Sequence, residues 1–155
     1  MQPRLNDSQF HHSFHYRVRS HECDRQGVVH NARYLEILEI ARIEFCRDVL
    51  HIPVDPWSFV KHHKFFFVRN ALDYFSPAMF DEEMTIWTRV SKIGRTSVTM
   101  EQIINSPLDG RRMIECEAVM VSVDPDSNLP IELTQELKDR VRAQDGYDDI
   151  PPIAT

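Results

Sequence analysis

Hydrophobic and polar positions change rhythm several times along this chain. In SFHYRVRSH, residues 13 to 21, Phe14, Tyr16 and Val18 alternate with polar neighbours, which predicts a half-buried strand. From Asn31 to about Leu50 the period lengthens. Tyr34, Leu38, Ala41, Phe45 and Val49 step by three or four and form one apolar stripe, the mark of an amphipathic helix. Leu35, Ile37, Ile40 and Ile43 widen that stripe, so the helix is expected to be buried around most of its circumference. Lys64 to Phe75 is rich in aromatic and β-branched residues and ends at Ser76-Pro77, which reads as a second strand. Met84 to Lys92 alternates again and stops at Ile93-Gly94. Thr96 to Asn105 forms a further strand, and the SPLDG loop, residues 106 to 110, suits a hairpin turn. Arg112 to Asp124 is the last strand, and Pro130 precedes a short terminal helix within residues 132 to 144.

The predicted order is strand, long helix, four strands and a short helix. Consecutive hairpins imply an antiparallel sheet, and a helix this apolar needs a sheet curled around it. The expected class is therefore α+β, a curved antiparallel sheet wrapped around one long central helix. At 155 residues the chain suits a single domain. Residues 1–12 are expected to be a loose arm, 13–144 the domain, and the acidic, proline-bearing residues 145–155 a flexible tail.

Composition narrows the function classes. The chain is 42% hydrophobic and 27% charged, ordinary values for a globular protein. No apolar run approaches the ~18 residues of a membrane helix, and the first residues lack the plan of a secretory signal. Three cysteines, Cys23, Cys46 and Cys116, do not make a disulfide framework and fit a reducing cytoplasm. A net charge of −6 argues against nucleic acid as the main partner. Arg89, Lys92 and Arg95, followed by Arg111 and Arg112, are either a solvated hairpin rim or a local site for a small anion.

The candidate chemistry lies in DRQGVVHNARY, residues 24 to 34, at the start of the long helix. A helix start offers unpaired backbone N–H groups and the positive end of a dipole. Gly27 permits a sharp turn that brings Asp24 over that start. By spacing alone, Asp24 in D-x-x-G most simply stabilises its own turn, and Asn31 most simply caps the helix. His30 is either an ordinary polar residue or a group that orients water, and Tyr34 is expected in the core with its hydroxyl near a pocket. Glu39 is expected to be paired, with Arg42 as its partner, or to face another subunit. A Cys23 nucleophile with His21 or His30 as base has no orienting motif. The histidines at 11, 12, 15 and 21 match no closed metal site.

DRQGVVHNARYLEILEIARIEF together with DYFSPAMFDEE, KIGRTSVTMEQ and PIELTQEL resembles the hotdog-fold acyl-CoA thioesterases of the 4-hydroxybenzoyl-CoA thioesterase-like family. The resemblance spans about Phe14 to Val141. Two departures stand out: Val28 occupies a position where many relatives carry histidine, and His30 falls one residue before the position, Asn31, where some place it. The resemblance implies hydrolysis of an acyl-CoA with Asp24 as the catalytic carboxylate, acting as nucleophile or general base. It brings His30 and Asn31 to the catalytic site, the amides from Val29 to Asn31 to the carbonyl oxygen, and Gly27, Val29 and Tyr34 to the substrate. Arg89, Lys92 and Arg95 would meet the CoA phosphates. The acyl chain would run beside the helix, with Phe65 to Phe67, Tyr74 and Phe75 setting pocket depth. No cofactor is implied beyond the coenzyme A of the substrate. Assembly would be a homodimer joined edge to edge through its sheets, and a homotetramer beyond that. A non-catalytic acyl-CoA-binding module of the same fold is the alternative. Dehydration of a hydroxyacyl thioester would need a paired histidine and acid that the sequence does not show.

Overall fold

The computed structural model describes residues 1–52 and 64–144. Seven main elements follow the predicted order: β1 (His12–Arg17), α1 (Arg33–Asp48), β2 (Phe65–Tyr74), β3 (Glu83–Ile93), β4 (Ser97–Asn105), β5 (Arg112–Ser122) and α2 (Gln135–Arg142). The five strands form one sheet in the order β1-β3-β4-β5-β2, and every pairing is antiparallel. This is the hotdog architecture, a curved sheet around a long helix. The expected tail lies outside the described residues.

Alternation decides which side chains meet the helix. Met84, Ile86, Ile104, Ile114, Cys116 and Ala118 pack with Tyr34, Ile37, Leu38 and Ala41 in one apolar cluster. Phe45, Val90, Val98, Met100 and the α2 residues Leu137 and Val141 form a second cluster toward the far end of α1. Bulges interrupt the register between Val90 and Lys92 and between Phe67 and Arg69. Each resets the alternation and increases the local twist. Ile93 thereby joins the core with Val90, although an odd spacing would place them on opposite faces.

Between the clusters lies a polar waist. Gln102 is fully buried. Its amide nitrogen donates to the Leu38 carbonyl and to the Thr88 hydroxyl, both at 3.0 Å, and its oxygen accepts from Arg42 Nη1 at 2.7 Å. Both of its N–H donors and one lone pair of its oxygen are therefore in use, which is what a buried amide requires.

Three expectations are corrected. The helix is not enclosed on all sides within one chain: Leu35 and Ile40 are 40% and 38% exposed, because the sheet covers only one flank. The first dozen residues are not loose. The backbone N–H groups of Arg4 and Leu5 donate to the buried Glu115 carboxylate at 3.0–3.1 Å, Asp7 pairs with Arg112, and Phe10 is buried. Buried charges on β5 need partners, and the arm supplies them. Finally, β1 stops at Arg17 and gives way to a 3-10 turn at Ser20–Glu22.

Candidate active site

The loop between β1 and α1 is closed by its own backbone. Asp24 N–H donates to Val28 O at 2.9 Å, and Gly27 N–H donates back to Asp24 O at 3.1 Å. Gly27 has φ +77°, a conformation that side chains resist, so glycine is required for this turn. The loop is then fastened to residues 78–80: Val29 N–H donates to Ala78 O at 2.9 Å, and Phe80 N–H to Gly27 O at 3.2 Å. Tyr34, 2% exposed, completes the clamp by accepting from Ala78 N–H at 3.1 Å. Asp24 is held by a braced backbone next to the start of the central helix.

The Asp24 carboxylate lies exposed on the protomer, and one of its oxygens accepts from Gln26 N–H at 2.7 Å. That bond orients the carboxylate and leaves its second oxygen without a protein partner among the described residues. Neighbouring Glu22 is the residue that sequence reasoning missed. It is buried, accepts from the Tyr16 hydroxyl at 2.5 Å and from Arg19 N–H at 2.6 Å, and its carbonyl accepts from His30 N–H at 2.9 Å. Burial, and then the hydrogen bond and charge of Glu22, push the Tyr16 phenol up to about 12. Nothing in the pattern around SHECDR distinguishes Glu22 from a surface carboxylate; its burial follows from the 3-10 turn.

The helix start differs from expectation. The N-cap position is Ala32, without a side-chain cap. His30 does the work assigned to Asn31: its carbonyl accepts from Arg33 N–H at 2.8 Å, and its ring Nδ1 accepts from Ala32 N–H at 3.2 Å. An accepting Nδ1 places the proton of the neutral ring on Nε2. Asn31 stands exposed, its side chain free of the capping role, while its carbonyl accepts from the Tyr74 hydroxyl at 3.3 Å. Of the three amides expected to face a carbonyl oxygen, those of Val29 and His30 already have acceptors in the loop. Val29 is also a core side chain, 3% exposed, and the Tyr34 hydroxyl is committed to Ala78.

The expected basic cluster does not gather at this loop. Arg89 is buried, pairs with Glu101 at 2.9 Å and lies 5.7 Å from the Phe10 ring centre. Alternation places it on the sheet face opposite α1. Lys92 is exposed, and Arg95 pairs with Glu132 at 3.0 Å on the surface. Lys92 near the end of β3 and Arg95 in the β3–β4 turn lie at the end of the hairpin that packs with the C-terminal half of α1. The 16 residues of α1 span about 24 Å, so within one protomer this turn and Asp24 lie at opposite ends of the helix.

A cavity of about 210 Å³ opens along that far half of α1, with Arg42, Cys46, Phe67, Met120 and Leu137 among its walls. Asp24, His30 and Asn31 do not line it. Burial pushes the Cys46 thiol up to about 11. Burial, followed by the Glu22 and Asp24 charges, also raises the Cys23 thiol, which disfavours the thiolate a nucleophile needs. Among the described residues no group of three or more His, Cys, Asp or Glu is arranged to hold a metal ion.

A helix with a braced acidic loop at its start, wrapped by a five-stranded antiparallel sheet, defines the hotdog thioesterase class. Residues 18–141 match the family model described as the thioesterase-like superfamily. The chain belongs to this family, and it is a thioester hydrolase by that membership. It is 31% identical over 111 residues to the acyl-CoA thioester hydrolase YbgC of Escherichia coli, an alignment covering 70% of this chain and 79% of that protein. It is 25% identical over 127 residues to the long-chain acyl-CoA thioesterase FadM of Escherichia coli, covering 81% and 92%. Among solved structures it is similar to a Thermus thermophilus thioesterase complexed with coenzyme A and zinc, with TM-score 0.73 and 26% identity over 86% of this chain and 93% of that one.

Proposed function

We propose that this chain hydrolyses acyl-CoA thioesters to a free acid and CoA, with Asp24 as the reacting carboxylate. The observation that carries the reading is the braced Gly27 turn, which fixes Asp24 beside the start of α1 with one carboxylate oxygen unpartnered. In the nucleophilic route that oxygen attacks the thioester carbonyl, the C–S bond breaks, CoA leaves as thiolate, and water hydrolyses the resulting anhydride. In the base route Asp24 takes a proton from water, which attacks directly. In both, charge develops on the carbonyl oxygen. With Val29 and His30 engaged, the Asn31 amide and the exposed Asn31 side chain are the donors at hand, and one such donor contributes about 3 kcal/mol to barrier lowering.

The site is completed by a second copy. β2 forms an edge of the sheet, and Phe66, Phe67, Val68 and Tyr74 are exposed along it. A ten-residue edge strand with exposed apolar side chains is a template for pairing, and Leu35 and Ile40 add uncovered apolar surface on α1. Two chains join through β2, and pairs of dimers build the tetramer. Lys92 and Arg95 are the basic residues with side chains exposed to CoA phosphates.

Release of free thiol from a panel of short, long and aromatic acyl-CoAs tests the proposal. Wild-type protein releases thiol, and Asp24→Asn loses at least about 100-fold in kcat. Absence of release with every member of the panel would leave a non-catalytic binding module; unchanged turnover in the variant would remove Asp24 from the mechanism. A single turnover in ¹⁸O-water separates the two routes, since label enters Asp24 only through the anhydride.

A further inference from the structure

The far cavity contains a cation that no carboxylate hydrogen-bonds among the described residues. Arg42 is 6% exposed, and its guanidinium lies 4.7 Å from the Phe67 ring centre. Nη1 donates to Gln102, while Nε is buried without any acceptor. Nε and Nη2 together form the side edge of a guanidinium, the fork that takes a carboxylate in two parallel hydrogen bonds. Among the described residues no carboxylate occupies it. Glu39, one turn earlier on α1, lines the same cavity and its charge favours the Arg42 cation from a distance, but it is exposed and does not close on the guanidinium as an ion pair. The other titratable groups nearby are the thiols of Cys46 and Cys116, both pushed up to about 11 and so neutral. Burial lowers the Arg42 pKa, yet a guanidinium remains protonated at neutral pH.

An unpaired buried charge is unfavourable unless something meets it. The amide of Gln102 and the ring of Phe67 offset part of the cost; the buried Nε without an acceptor points to the rest. The remaining walls are apolar, with Ile43, Met100, Met120 and Leu137 among them. An apolar cavity of about 150 Å³ accepts a benzene molecule, so about 210 Å³ holds a short alkyl segment or one ring plus a small anionic group.

We infer that this cavity receives an acyl group ending in a carboxylate, its thioester at the Asp24 loop of a second copy, with the methylene or aryl segment against the apolar walls and the terminal anion on the Arg42 fork. The inference rests on the acyl-CoA thioesterase reading and specifies its substrate class: half-thioesters of dicarboxylic acids, in preference to simple fatty acyl thioesters of equal length.

The test compares non-hydrolysable thioether analogues of adipoyl-CoA and hexanoyl-CoA, with binding measured by calorimetry on the full chain. The adipoyl analogue is expected to bind at least about tenfold tighter. Arg42→Met abolishes that difference, and Arg42→Lys retains part of it. Equal affinities in the wild type, or a preference surviving Arg42→Met, would overturn the inference. The wild-type ratio needs no variant, so a substitution that prevents folding leaves the test decisive. Thiol release from both true thioesters with equal analogue affinities sinks only this inference. The adipoyl preference without thiol release from any thioester sinks only the hydrolase reading.

Discussion

Arg42 of the central helix and Gln102 of β4 are joined by a 2.7 Å hydrogen bond at the middle of the concave sheet face. Sixty residues separate them in the chain, and the bond ties helix to sheet where two apolar clusters meet. Replacing Gln102 by leucine removes the acceptor of a buried cation and the donor to both Leu38 and Thr88. The expected loss is about 3 kcal/mol of unfolding free energy, read as a lower urea midpoint at constant slope. Gln102→Leu combined with Arg42→Met recovers part of that loss, because replacing both partners by apolar groups costs less than orphaning one.

Tyr34→Phe isolates the clamp between helix and loop. The ring stays in the core, and only the acceptor for Ala78 N–H disappears. A buried amide left unpaired costs about 1–3 kcal/mol, or several degrees in Tm for a chain of this size. Turnover is expected to fall with it, since the Ala78 segment holds the loop that carries Asp24.

At Gly27 the effect is one of backbone conformation alone. A Cβ there meets nothing within 4 Å, so Gly27→Ala introduces no clash. The φ of +77° nevertheless strains alanine by about 1 kcal/mol. Thermal unfolding is expected to show a modest loss, and thiol release a larger one, because the strained turn relaxes by moving Asp24.

Thiol chemistry reports the core. The Cys46 and Cys116 thiols are raised from 9.0 to about 11. A raised pKa means that the folded state holds the proton more tightly. The stability it contributes is complete below pH 9 and is lost as pH climbs from 9 to 11. At pH 7.5 these two thiols are expected to react slowly with Ellman's reagent in the native protein, whereas all three cysteines react promptly in guanidinium chloride. Rapid native labelling of Cys116 would contradict the burial described.

Val68 is 60% exposed on β2. Val68→Lys places a charge on the proposed pairing edge, a common means of discouraging strand addition. Sedimentation velocity is expected to show dimers or tetramers for the wild type and smaller species for the variant, with thiol release falling in parallel.

Much of this was legible in the sequence because periodicity reports burial. The alternation of Phe14 and Tyr16, the three-four spacing from Tyr34 to Phe45 and the glycine of the D-x-x-G turn each have one physical reading, and the antiparallel sheet followed from the hairpins. The pairing of β2 with β5 and of β1 with β3, by contrast, joins strands that are not consecutive. What escaped depended on distant partners. Which residue caps α1 is settled by how His30 sits under Glu22, not by residue type. The alternation that should sort Arg89 from Lys92 is broken by a bulge, so a run of basic residues became one buried pair and two surface groups. Glu115 needed knowledge that residues 4–7 fold back across β5. The Arg42 fork is invisible in a sequence where arginine on a helix ordinarily means solvent.

The bare side of β2 has a consequence for how the molecule is to be handled. If half of each reaction chamber comes from a neighbour, dilution is itself an inhibitor, and specific activity climbs with protein concentration until the edges are filled. A disabled subunit mixed with an intact one then poisons more than itself, so in a cell carrying both forms the damage exceeds the defective share.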